Sequence, residues 1–318
     1  MKILITGGCG FIGSNFIRYI LTKYPDYKIT NLDKLTYCGN LDNLKDIENN
    51  PNYKFIKGDI CDTNIVNQVV KNSDVIINFA AATHVDRSIV DASDFISTNI
   101  QGVYVLLEAV KRNNIDRFIS ISTDEVYGSV EKSSSKETDN LSPNSPYAAS
   151  KAAGDLLALS YYTTFKAPVI ITRSSNNFGP YQYPEKVIPL FVTNLLEGKR
   201  VPLYGDGLNV RDWLYVLDNC KAIDLVLHKG TIGEIYNIGG GYEIPNIKLT
   251  QTILELLDQA DERIEYVEDR LGHDRRYSLN STKINNLGFK VEKNFDVAIK
   301  ETVEWYKNNS AWWKAIKK

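Results

Sequence analysis

The chain is poor in cysteine, histidine and methionine, and it has no excess charge of either sign. Its 318 residues include four cysteines, three histidines and one methionine, and 37 basic residues nearly balance 39 acidic ones. This balance gives no electrostatic reason to expect nucleic acid or an anionic membrane as a partner. Neither a Cys-x-x-Cys pair nor a cysteine–histidine cluster with zinc spacing occurs. We therefore expect no metal site and four reduced thiols.

Long apolar runs are absent as well. No stretch approaches the roughly 20 residues that a membrane-spanning helix needs. The first residues resemble a strand rather than a charged segment followed by an apolar one, so we expect no signal peptide. These observations predict a cytoplasmic protein. With 43% hydrophobic residues, the chain can form one large or two medium domains around a sizeable core.

Short apolar segments alternate with amphipathic ones over the first half of the chain. The predicted strands cover residues 2–6, 28–32, 54–56, 75–79, 117–122 and 169–173. Predicted helices cover residues 11–23 and 98–113, and another begins at Pro146. This alternation predicts an α/β fold with a Rossmann-type, doubly wound parallel sheet. Beyond residue 178 the pattern changes to a smaller C-terminal α/β lobe, and the serine-rich residues 129–144 predict a surface loop or a lid.

A glycine-rich segment joins the first strand to the first helix. It contains Gly7, Gly8, Gly10 and Gly13, and it fits both G-x-G-x-x-G and G-x-x-G-x-x-G. Such glycines let a pyrophosphate approach a helix N-terminus, where free N–H groups favour anions. Asp33 ends the next strand and can accept both ribose hydroxyls, while its charge repels a 2′-phosphate. The segment therefore predicts a dinucleotide site that prefers NAD to NADP, although Lys34 weakens this preference slightly.

Tyr147 and Lys151 lie four residues apart, directly after Pro146. A helix that begins at Pro146 places both side chains on one face. A free tyrosine, with a pKa of about 10, is a poor base at neutral pH. A nearby ammonium group and a positively charged nicotinamide both favour the phenolate. We therefore expect Tyr147 to act as a base, with Lys151 also bonding the nicotinamide ribose.

Two hydroxyl residues and two acids follow one another at the end of the fifth strand. Ser122 and Thr123 lie at the carboxyl edge, where doubly wound sheets bind their ligands. A hydroxyl group there can bond the alcohol that Tyr147 deprotonates. Asp124 and Glu125 come next, and two close carboxylates separate their pKa values, so that one keeps a proton while the other is ionised. This set predicts an oxidation that is coupled to the removal of water.

Together these motifs resemble the extended short-chain dehydrogenase/reductases. The triplet Thr123-Asp124-Glu125 resembles specifically the nucleotide-sugar 4,6-dehydratases, most of all those that act on dTDP-glucose. The resemblance extends through residues 35–37, 83–88, 175–181, 184–186, 211–216 and 272–277. It implies that Tyr147 removes the C4 hydroxyl proton while a hydride passes to NAD, that Glu125 takes the C5 proton, and that Asp124 protonates the departing C6 hydroxyl. The hydride then returns to C6, and Thr123 positions the C4 oxygen.

The same resemblance implies the residues that bind each ligand. The implied cofactor contacts are Gly7, Gly10, Phe11, Ile12, Gly13, Asp33, Lys34, Leu35, Thr36, Asp59, Ile60, Phe79, Ala80, Ala81, Thr83, Thr98, Tyr147, Lys151 and Asn177. The implied substrate contacts are Thr83, Thr123, Asn176, Glu185, Lys186, Pro202, Tyr204, Arg211, Asn246, Arg270, His273 and Tyr277. Residues 1–178 are expected to bind NAD, with segments around 208–238 returning to that lobe. Residues 179–318 are expected to bind mainly the nucleotide sugar.

Several alternatives stay open at this level. A nucleotide-sugar 4-epimerase also needs Tyr147, although it has no need for paired acids. A protein that binds NAD without catalysis usually loses the tyrosine–lysine pair. The chain departs from the usual dehydratase residues at Ala82, Phe178, Leu217, Asn219 and Leu271, which leaves uridine open as the nucleoside. Relatives form dimers through a four-helix bundle, and apolar character beyond one stripe in residues 98–113 and 147–165 predicts a homodimer here.

Overall fold

The strands of the computed structural model, which describes residues 1–317, form three sheets. Their bounds are β1 Lys2–Thr6, β2 Lys28–Asp33, β3 Tyr53–Lys57, β4 Val75–Asn78, β5 Arg117–Thr123, β6 Val169–Ser174, β7 Asn176–Phe178, β8 Val201–Tyr204, β9 Val210–Tyr215, β10 Ile235–Ile238, β11 Glu243–Pro245 and β12 Ile264–Val267. The main sheet has the order β10-β6-β5-β4-β1-β2-β3, and all its pairings are parallel. Strand order reverses next to β1, as in doubly wound nucleotide-binding folds.

Helices cover both faces of this sheet. Their bounds are α1 Phe11–Lys23, α2 Thr63–Val70, α3 Val85–Val90, α4 Ser93–Ile96, α5 Val103–Arg112, α6 Pro146–Phe165, α7 Val187–Leu196, α8 Val216–Lys229, α9 Asn246–Leu256, α10 Thr282–Asn286, α11 Phe295–Asn308 and α12 Ser310–Ile316. Side chains of α1 and α8 share one apolar core with the sheet. Side chains of α2, α5 and α6 share the core on the opposite face. The predicted α/β fold with a doubly wound parallel sheet is confirmed.

Local sequence explains where the important helix begins and why one predicted helix is irregular. Ser145 precedes α6, and its side chain accepts a hydrogen bond from the Ala148 N–H, while Pro146 occupies the first turn. The predicted helix over 98–113 begins instead with a π turn, Ser97–Gly102, before α5. In that turn the amide of Asn99 donates to the Ala82 carbonyl and accepts from the Ala82 N–H. This pairing fixes the backbone just beyond β4.

The C-terminal half builds a second apolar core outside the main sheet. Helices α7, α9 and α11 pack there with β7, β8 and β9, and the core includes Phe178, Trp213, Phe295 and Trp313. One segment returns to the main sheet, because β10 pairs with β6 and α8 packs on α1. Among the described residues, none of the helices combines the length and the apolar character that crossing a bilayer requires.

The last helix reaches back to the first part of the chain. On α12 the indole N–H of Trp312 donates to Asn43 Oδ1 at 2.9 Å. The Asn43 amide in turn donates to the Cys9 carbonyl of the glycine loop at 2.9 Å. The neighbouring Trp313 points the other way and donates to the Tyr306 carbonyl in its own lobe. Helix α12 therefore contacts the glycine loop through a single intermediate side chain.

Residues 129–144 have no regular secondary structure apart from one bridge, between Ser135 and Leu279. The guanidinium of Arg276 donates to the carbonyls of Val130 and Ser133. The same guanidinium forms a two-point ion pair with Glu243 at 2.7 and 3.0 Å. The segment predicted as a surface loop or lid is thus tied to the C-terminal half of the chain.

Candidate active site

A cleft of about 530 Å³ runs along the carboxyl edge of the main sheet. It is lined by the glycine loop, by the ends of β2 to β5, by the start of α6 and by residues 174–186. All predicted cofactor contacts line this cleft except Leu35. Leu35 has a left-handed backbone (φ 58°), and its N–H donates to Asp33 Oδ1 at 2.8 Å. Leu35 therefore orients Asp33 rather than lining the cleft.

The glycine loop is shaped for a close approach of backbone to a ligand. Gly7 has φ 71°, and a Cβ added to it would lie 2.5 Å from the Ala80 backbone nitrogen. A Cβ on Gly13 would lie 2.6 Å from the Gly7 carbonyl oxygen. Helix α1 starts here without a side-chain cap. Its first N–H groups are therefore available to a phosphate, and the loop fits a dinucleotide pyrophosphate.

Charged groups at the far end of the cleft favour an unphosphorylated ribose. Asp33 accepts hydrogen bonds from the backbone N–H groups of Leu35 and Cys9 at 2.8 Å each. Burial raises the pKa of this carboxyl, and the two N–H donors oppose the rise. The ammonium of Lys34 is 2.7 Å from Asp59 Oδ2. Because Asp59 neutralises Lys34, this lysine is not free to attract a 2′-phosphate.

The five predicted catalytic residues meet at the centre of the cleft. They are Thr123, Asp124, Glu125, Tyr147 and Lys151. Thr123 ends β5, and its hydroxyl donates to Asp124 Oδ1 at 3.1 Å and accepts from the Glu125 N–H at 3.3 Å. The short 3-10 turn Asp124–Tyr127 thereby presents both acids next to the first turn of α6. The Lys151 ammonium donates to the Ile121 carbonyl at 2.6 Å.

The two adjacent acids have different surroundings. Burial raises the pKa of Asp124 well above its usual value, and the charges of Glu125 and Asp212 raise it further. Its Oδ2 is buried and has no hydrogen-bond partner among residues 1–317. Burial also raises the pKa of Glu125, while the cations of Arg270, Lys186 and Arg211 oppose the rise. One acid is therefore set to hold a proton, and the other lies among positive charges.

The environment of Tyr147 differs from what the sequence suggests. Burial raises the pKa of its phenol, and the charges of Glu125 and Asp124 raise it further, while a hydrogen bond with Thr123 lowers it. Burial also lowers the pKa of Lys151. Burial and the two carboxyl groups therefore act against the phenolate, and the role of Tyr147 as a base stays a prediction.

The predicted substrate contacts fall into two groups. Thr83, Thr123, Asn176, Glu185 and Lys186 line the cleft. The others lie in the second lobe, beyond the lining, and they are Pro202, Tyr204, Arg211, Asn246, Arg270, His273 and Tyr277. Two of them lie close to the catalytic acids. The Tyr277 hydroxyl is 3.4 Å from Glu125 Oε2, and the Arg211 guanidinium is 4.2 Å from the centroid of the Tyr277 ring.

Buried polar atoms without a partner occur in both groups of predicted substrate contacts. Within the described part of the chain, Asn176 Oδ1, Asn246 Oδ1 and Arg270 Nε are buried and lack a hydrogen-bond partner. Buried polar groups in proteins are nearly always paired, so such a set is typical of a binding site. The rings of Tyr204 and His273 are 6.1 Å apart in an edge-to-face arrangement. Burial lowers the pKa of His273 to about 4, so its imidazole is neutral at pH 7.

A buried ion pair behind the catalytic helix was not predicted from the sequence. Arg173 Nε donates to Asp155 Oδ2 at 2.9 Å, and Ser122 donates to the same oxygen at 3.0 Å. Ser122 therefore donates to the buried ion pair, whereas the Thr123 hydroxyl contacts Asp124 and the Glu125 N–H in the cleft. The signal in the sequence is the spacing of Asp155, four residues after Lys151 on the same helical face. Removing one member of such a pair typically costs about 3–5 kcal/mol of stability.

Asp274 is a second residue that sequence reasoning did not assign to the site. It lies in the segment 272–277, between two residues that were assigned. Its carboxylate accepts from the Tyr277 hydroxyl at 2.6 Å and from the Asn144 amide at 2.6 Å. Among residues 1–317, no group of three or more histidine, cysteine, aspartate or glutamate side chains is arranged to hold a metal ion.

The parallel sheet, the glycine loop at its carboxyl edge and the Tyr147–Lys151 pair define an extended short-chain dehydrogenase/reductase. The family model described as GDP-mannose 4,6 dehydratase matches residues 4–302, and the chain belongs to that family.

Individual relatives are similar to the chain over its whole length. A dTDP-glucose 4,6-dehydratase of Streptomyces niveus is 52% identical over 322 residues, which cover 100% of this chain and 96% of the relative. The crystal structure of the DesIV dTDP-glucose 4,6-dehydratase double mutant from Streptomyces venezuelae, solved with NAD, has a TM-score of 0.98 at 48% identity. That of a dTDP-glucose 4,6-dehydratase from Bacillus anthracis in complex with NAD has a TM-score of 0.93 at 53% identity. Both comparisons cover 100% of each chain.

Proposed function

We propose that this protein converts dTDP-glucose to dTDP-4-keto-6-deoxyglucose and water, with NAD as a cofactor that is regenerated in each turnover. The observation that carries the proposal is the pair of acids, Asp124 and Glu125, held in contrasting environments beside Tyr147. A 4-epimerase needs only a base at C4. A dehydration needs in addition a base for the C5 proton and an acid for the leaving hydroxyl.

Tyr147 begins the reaction by taking the proton of the C4 hydroxyl, which Thr123 holds in place. When bound in the cleft, NAD accepts a hydride from C4 and later returns it to C6. Lys151 is anchored by the Ile121 carbonyl, and we infer that its ammonium group bonds the nicotinamide ribose. The 4-keto group that results acidifies the proton at C5.

Glu125 and Asp124 then carry out the elimination. Glu125 takes the C5 proton, which it can do because Arg270, Lys186 and Arg211 favour its ionised form. Asp124 gives its proton to the departing C6 hydroxyl, since burial raises the pKa of this carboxyl and favours its protonated form. The Oδ2 atom of Asp124 has no hydrogen-bond partner among residues 1–317, and we infer that it contacts the C6 hydroxyl. Water leaves, and the C5–C6 double bond is ready for reduction.

The second lobe supplies the groups that suit a nucleoside diphosphate. We infer that Arg211, Arg270 and Lys186 surround the diphosphate, since guanidinium and ammonium groups match phosphate oxygens. The buried Oδ1 atoms of Asn176 and Asn246 are further acceptors for substrate donors, while Pro202 and Tyr204 provide an apolar surface for the pyrimidine. Glu185, His273 and Tyr277 complete the predicted substrate contacts. Residues 1–178 and the segment 208–238 then hold NAD, and residues 179–318 mainly hold the sugar nucleotide.

We also infer a homodimer. Four large apolar side chains, Ile96, Tyr104, Leu156 and Phe165, are exposed on the neighbouring helices α4, α5 and α6. Of these helices, α5 and α6 lie in the segments 98–113 and 147–165 that the sequence predicts for a four-helix contact between two copies. Leu156 is 58% exposed in the single chain, and a second copy would cover it. A cytoplasmic location stays a prediction from the reduced thiols and the nucleotide chemistry.

The deciding experiment follows an isotope at C4. Purified protein is incubated with C4-deuterated dTDP-glucose and, separately, with UDP-glucose, without added reductant, and the products are identified by NMR and mass spectrometry. We expect a 4-keto-6-deoxy sugar from dTDP-glucose with the deuterium in the new methyl group. Loss of deuterium to solvent or an inverted hexose would contradict the proposal, and Tyr147→Phe should abolish all turnover.

A further inference from the structure

Three side chains form a short chain of contacts that ends at Glu125. The phenol oxygen of Tyr277 lies 2.6 Å from Asp274 Oδ2 and 3.4 Å from Glu125 Oε2. Tyr277 is 2% exposed and Asp274 is 5% exposed. The second carboxylate oxygen of Asp274 accepts from the Asn144 amide at 2.6 Å. Both oxygens of Asp274 are therefore engaged, and its orientation is fixed.

The phenol has one hydrogen and lies between two carboxyl groups. The shorter contact, to Asp274, takes that hydrogen, since a hydroxyl donor forms its stronger bond at 2.6 Å rather than at 3.4 Å. Burial and the nearby carboxylates raise the pKa of Tyr277, so the phenol keeps its hydrogen. Its oxygen can then act towards Glu125 only as an acceptor. An acceptor favours the protonated form of Glu125 over the ionised one.

We propose that Tyr277, oriented by Asp274, is a positioning residue for Glu125 and accepts a hydrogen bond from its carboxyl once that group has taken the C5 proton. In this step the C5–H bond breaks, its electron pair passes to the 4-keto oxygen as an enolate, and the proton moves to Glu125. The new O–H of Glu125 then donates to Tyr277, which continues to donate to Asp274. The inference rests on the proposed function, because it concerns the elimination step of that reaction.

The same residues connect this step to binding of the diphosphate. Arg211 stacks on the Tyr277 ring, and its Nη2 donates to the Asp274 carbonyl at 2.9 Å. The amide of Asn209 donates to the same carbonyl at 3.2 Å. Arg211, which is proposed to bind phosphate, thus contacts both the Tyr277 ring and the backbone of Asp274. We therefore expect a correctly bound nucleotide to bring Tyr277 and Glu125 into closer contact.

The test compares Tyr277→Phe with the wild type. The variant keeps the ring beneath Arg211 and removes only the hydroxyl. We expect kcat for dTDP-glucose to fall about 10- to 100-fold, the range for losing one hydrogen bond to an ionisable group, while KM changes little. The acid limb of the plot of kcat against pH should move to lower pH. The reason is that Glu125 loses the Tyr277 oxygen, which favours its protonated form.

A second readout isolates the base from the rest of the cycle. The product, dTDP-4-keto-6-deoxyglucose, is incubated with the protein in D₂O, and exchange of its C5 proton is followed by NMR. This exchange needs a base at C5 and no hydride transfer. We expect it to slow in Tyr277→Phe by the same factor as kcat. Asp274→Asn should slow it in the same direction, which keeps the test valid if Tyr277→Phe folds poorly.

The matched control is Tyr236→Phe. Tyr236 is also buried, and its hydroxyl accepts a hydrogen bond from the Thr231 N–H, away from the cleft. The inference would be overturned if Tyr277→Phe exchanged the C5 proton at the wild-type rate and kept the wild-type acid limb of kcat against pH. It would also be overturned if Tyr236→Phe lost as much kcat and C5 exchange as Tyr277→Phe. Failure of the wild type to form a 4-keto-6-deoxy sugar would instead contradict the proposed function itself.

Discussion

At the scale of single residues, two neighbouring carboxyl groups acquire different roles from their surroundings. Asp124 is buried with an unpartnered oxygen, whereas Glu125 lies among Arg211, Arg270 and Lys186. The residue pattern identifies both acids, and only the family resemblance implies that Asp124 holds the proton. Which acid is protonated depends on cations that come from positions 186, 211 and 270, far along the chain. Environment rather than residue type separates acid from base.

Replacing Asp124 with asparagine should reduce elimination about 10²- to 10⁴-fold, the range for losing a general acid. Activity of the wild type should fall as the pH rises through the raised pKa of Asp124, and this alkaline limb should disappear in Asp124→Asn. The measurement is kcat against pH. Because the pKa of Asp124 is higher in the folded protein than in the unfolded chain, folding takes up a proton at this site. The free energy of unfolding of the wild type should therefore decrease as the pH rises above about 4. Asp124→Asn should lack this contribution. Wild-type elimination rates would contradict the assignment.

Asp33 and Asp59 should set the preference for NAD together. In Asp33→Asn we expect NAD to bind about tenfold more weakly, since a charge-assisted hydrogen bond to the ribose is lost. NADP should improve clearly only when Asp59→Asn is added, because Asp59 pairs with Lys34 at 2.7 Å. Affinities measured by titration calorimetry test this. Asp62→Asn, at the cap of α2, is the control, and strong NADP binding in Asp33→Asn alone would be the contrary result.

At the scale of elements, the catalytic groups depend on how strand ends and helix starts are held. The glycine loop is held from outside the main sheet by the contact that runs from Trp312 through Asn43 to the Cys9 carbonyl. Cys9 in turn donates its N–H to Asp33. Helix α12 therefore supports the loop that faces the dinucleotide, although α12 itself lies outside the cleft.

Two adjacent tryptophans give a matched test of this contact. Trp312→Phe removes the donor to Asn43, while Trp313→Phe removes the donor to Tyr306 in the same lobe. We expect Trp312→Phe to weaken NAD binding about 3- to 10-fold, as for losing one neutral hydrogen bond, and Trp313→Phe to lower the melting temperature with NAD affinity unchanged. Fluorescence titration with NAD measures both variants. Equal losses of NAD affinity would contradict a specific role for Trp312.

The strands of the first half were predictable, and those of the second half largely were not. Strands β1 to β6 are short, largely apolar runs, so their positions follow from composition, and the observed bounds differ by at most one residue at each end. The strands β7, β8, β11 and β12 are only three or four residues long and pair within small separate sheets. Strands this short show too little alternation of apolar and polar residues to be predicted from the sequence. Nothing in the local sequence connects Asn43 with Trp312.

The same limit applies to the site. Thr123, Asp124, Glu125, Tyr147 and Lys151 could be proposed because a strand end and a helix start place them at one edge. The substrate contacts of the second lobe came from the family resemblance alone. The raised pKa of Tyr147 was not foreseen, because it depends on burial and on carboxyl groups that only the folded chain brings near. Ser122 was proposed for the substrate but donates to Asp155.

At the scale of the whole molecule, the exposed apolar surface on α4, α5 and α6 is the contact surface of the proposed dimer. A single substitution at its centre should separate them. We expect Leu156→Arg to be monomeric at micromolar concentration while the wild type is dimeric, as measured by light scattering after size exclusion. Val297→Arg replaces another exposed apolar residue, on α11, and should stay dimeric. A monomeric wild type would exclude the proposed dimer.

The contact between Trp312 and Asn43 also has a consequence for biosynthesis. During translation, residues 1–178 leave the ribosome long before residue 312 is made. The nascent chain can form most of the parallel sheet, yet the glycine loop lacks its last support at that stage. Coenzyme capture should therefore be weak on ribosome-bound chains and should strengthen once the final helix has docked.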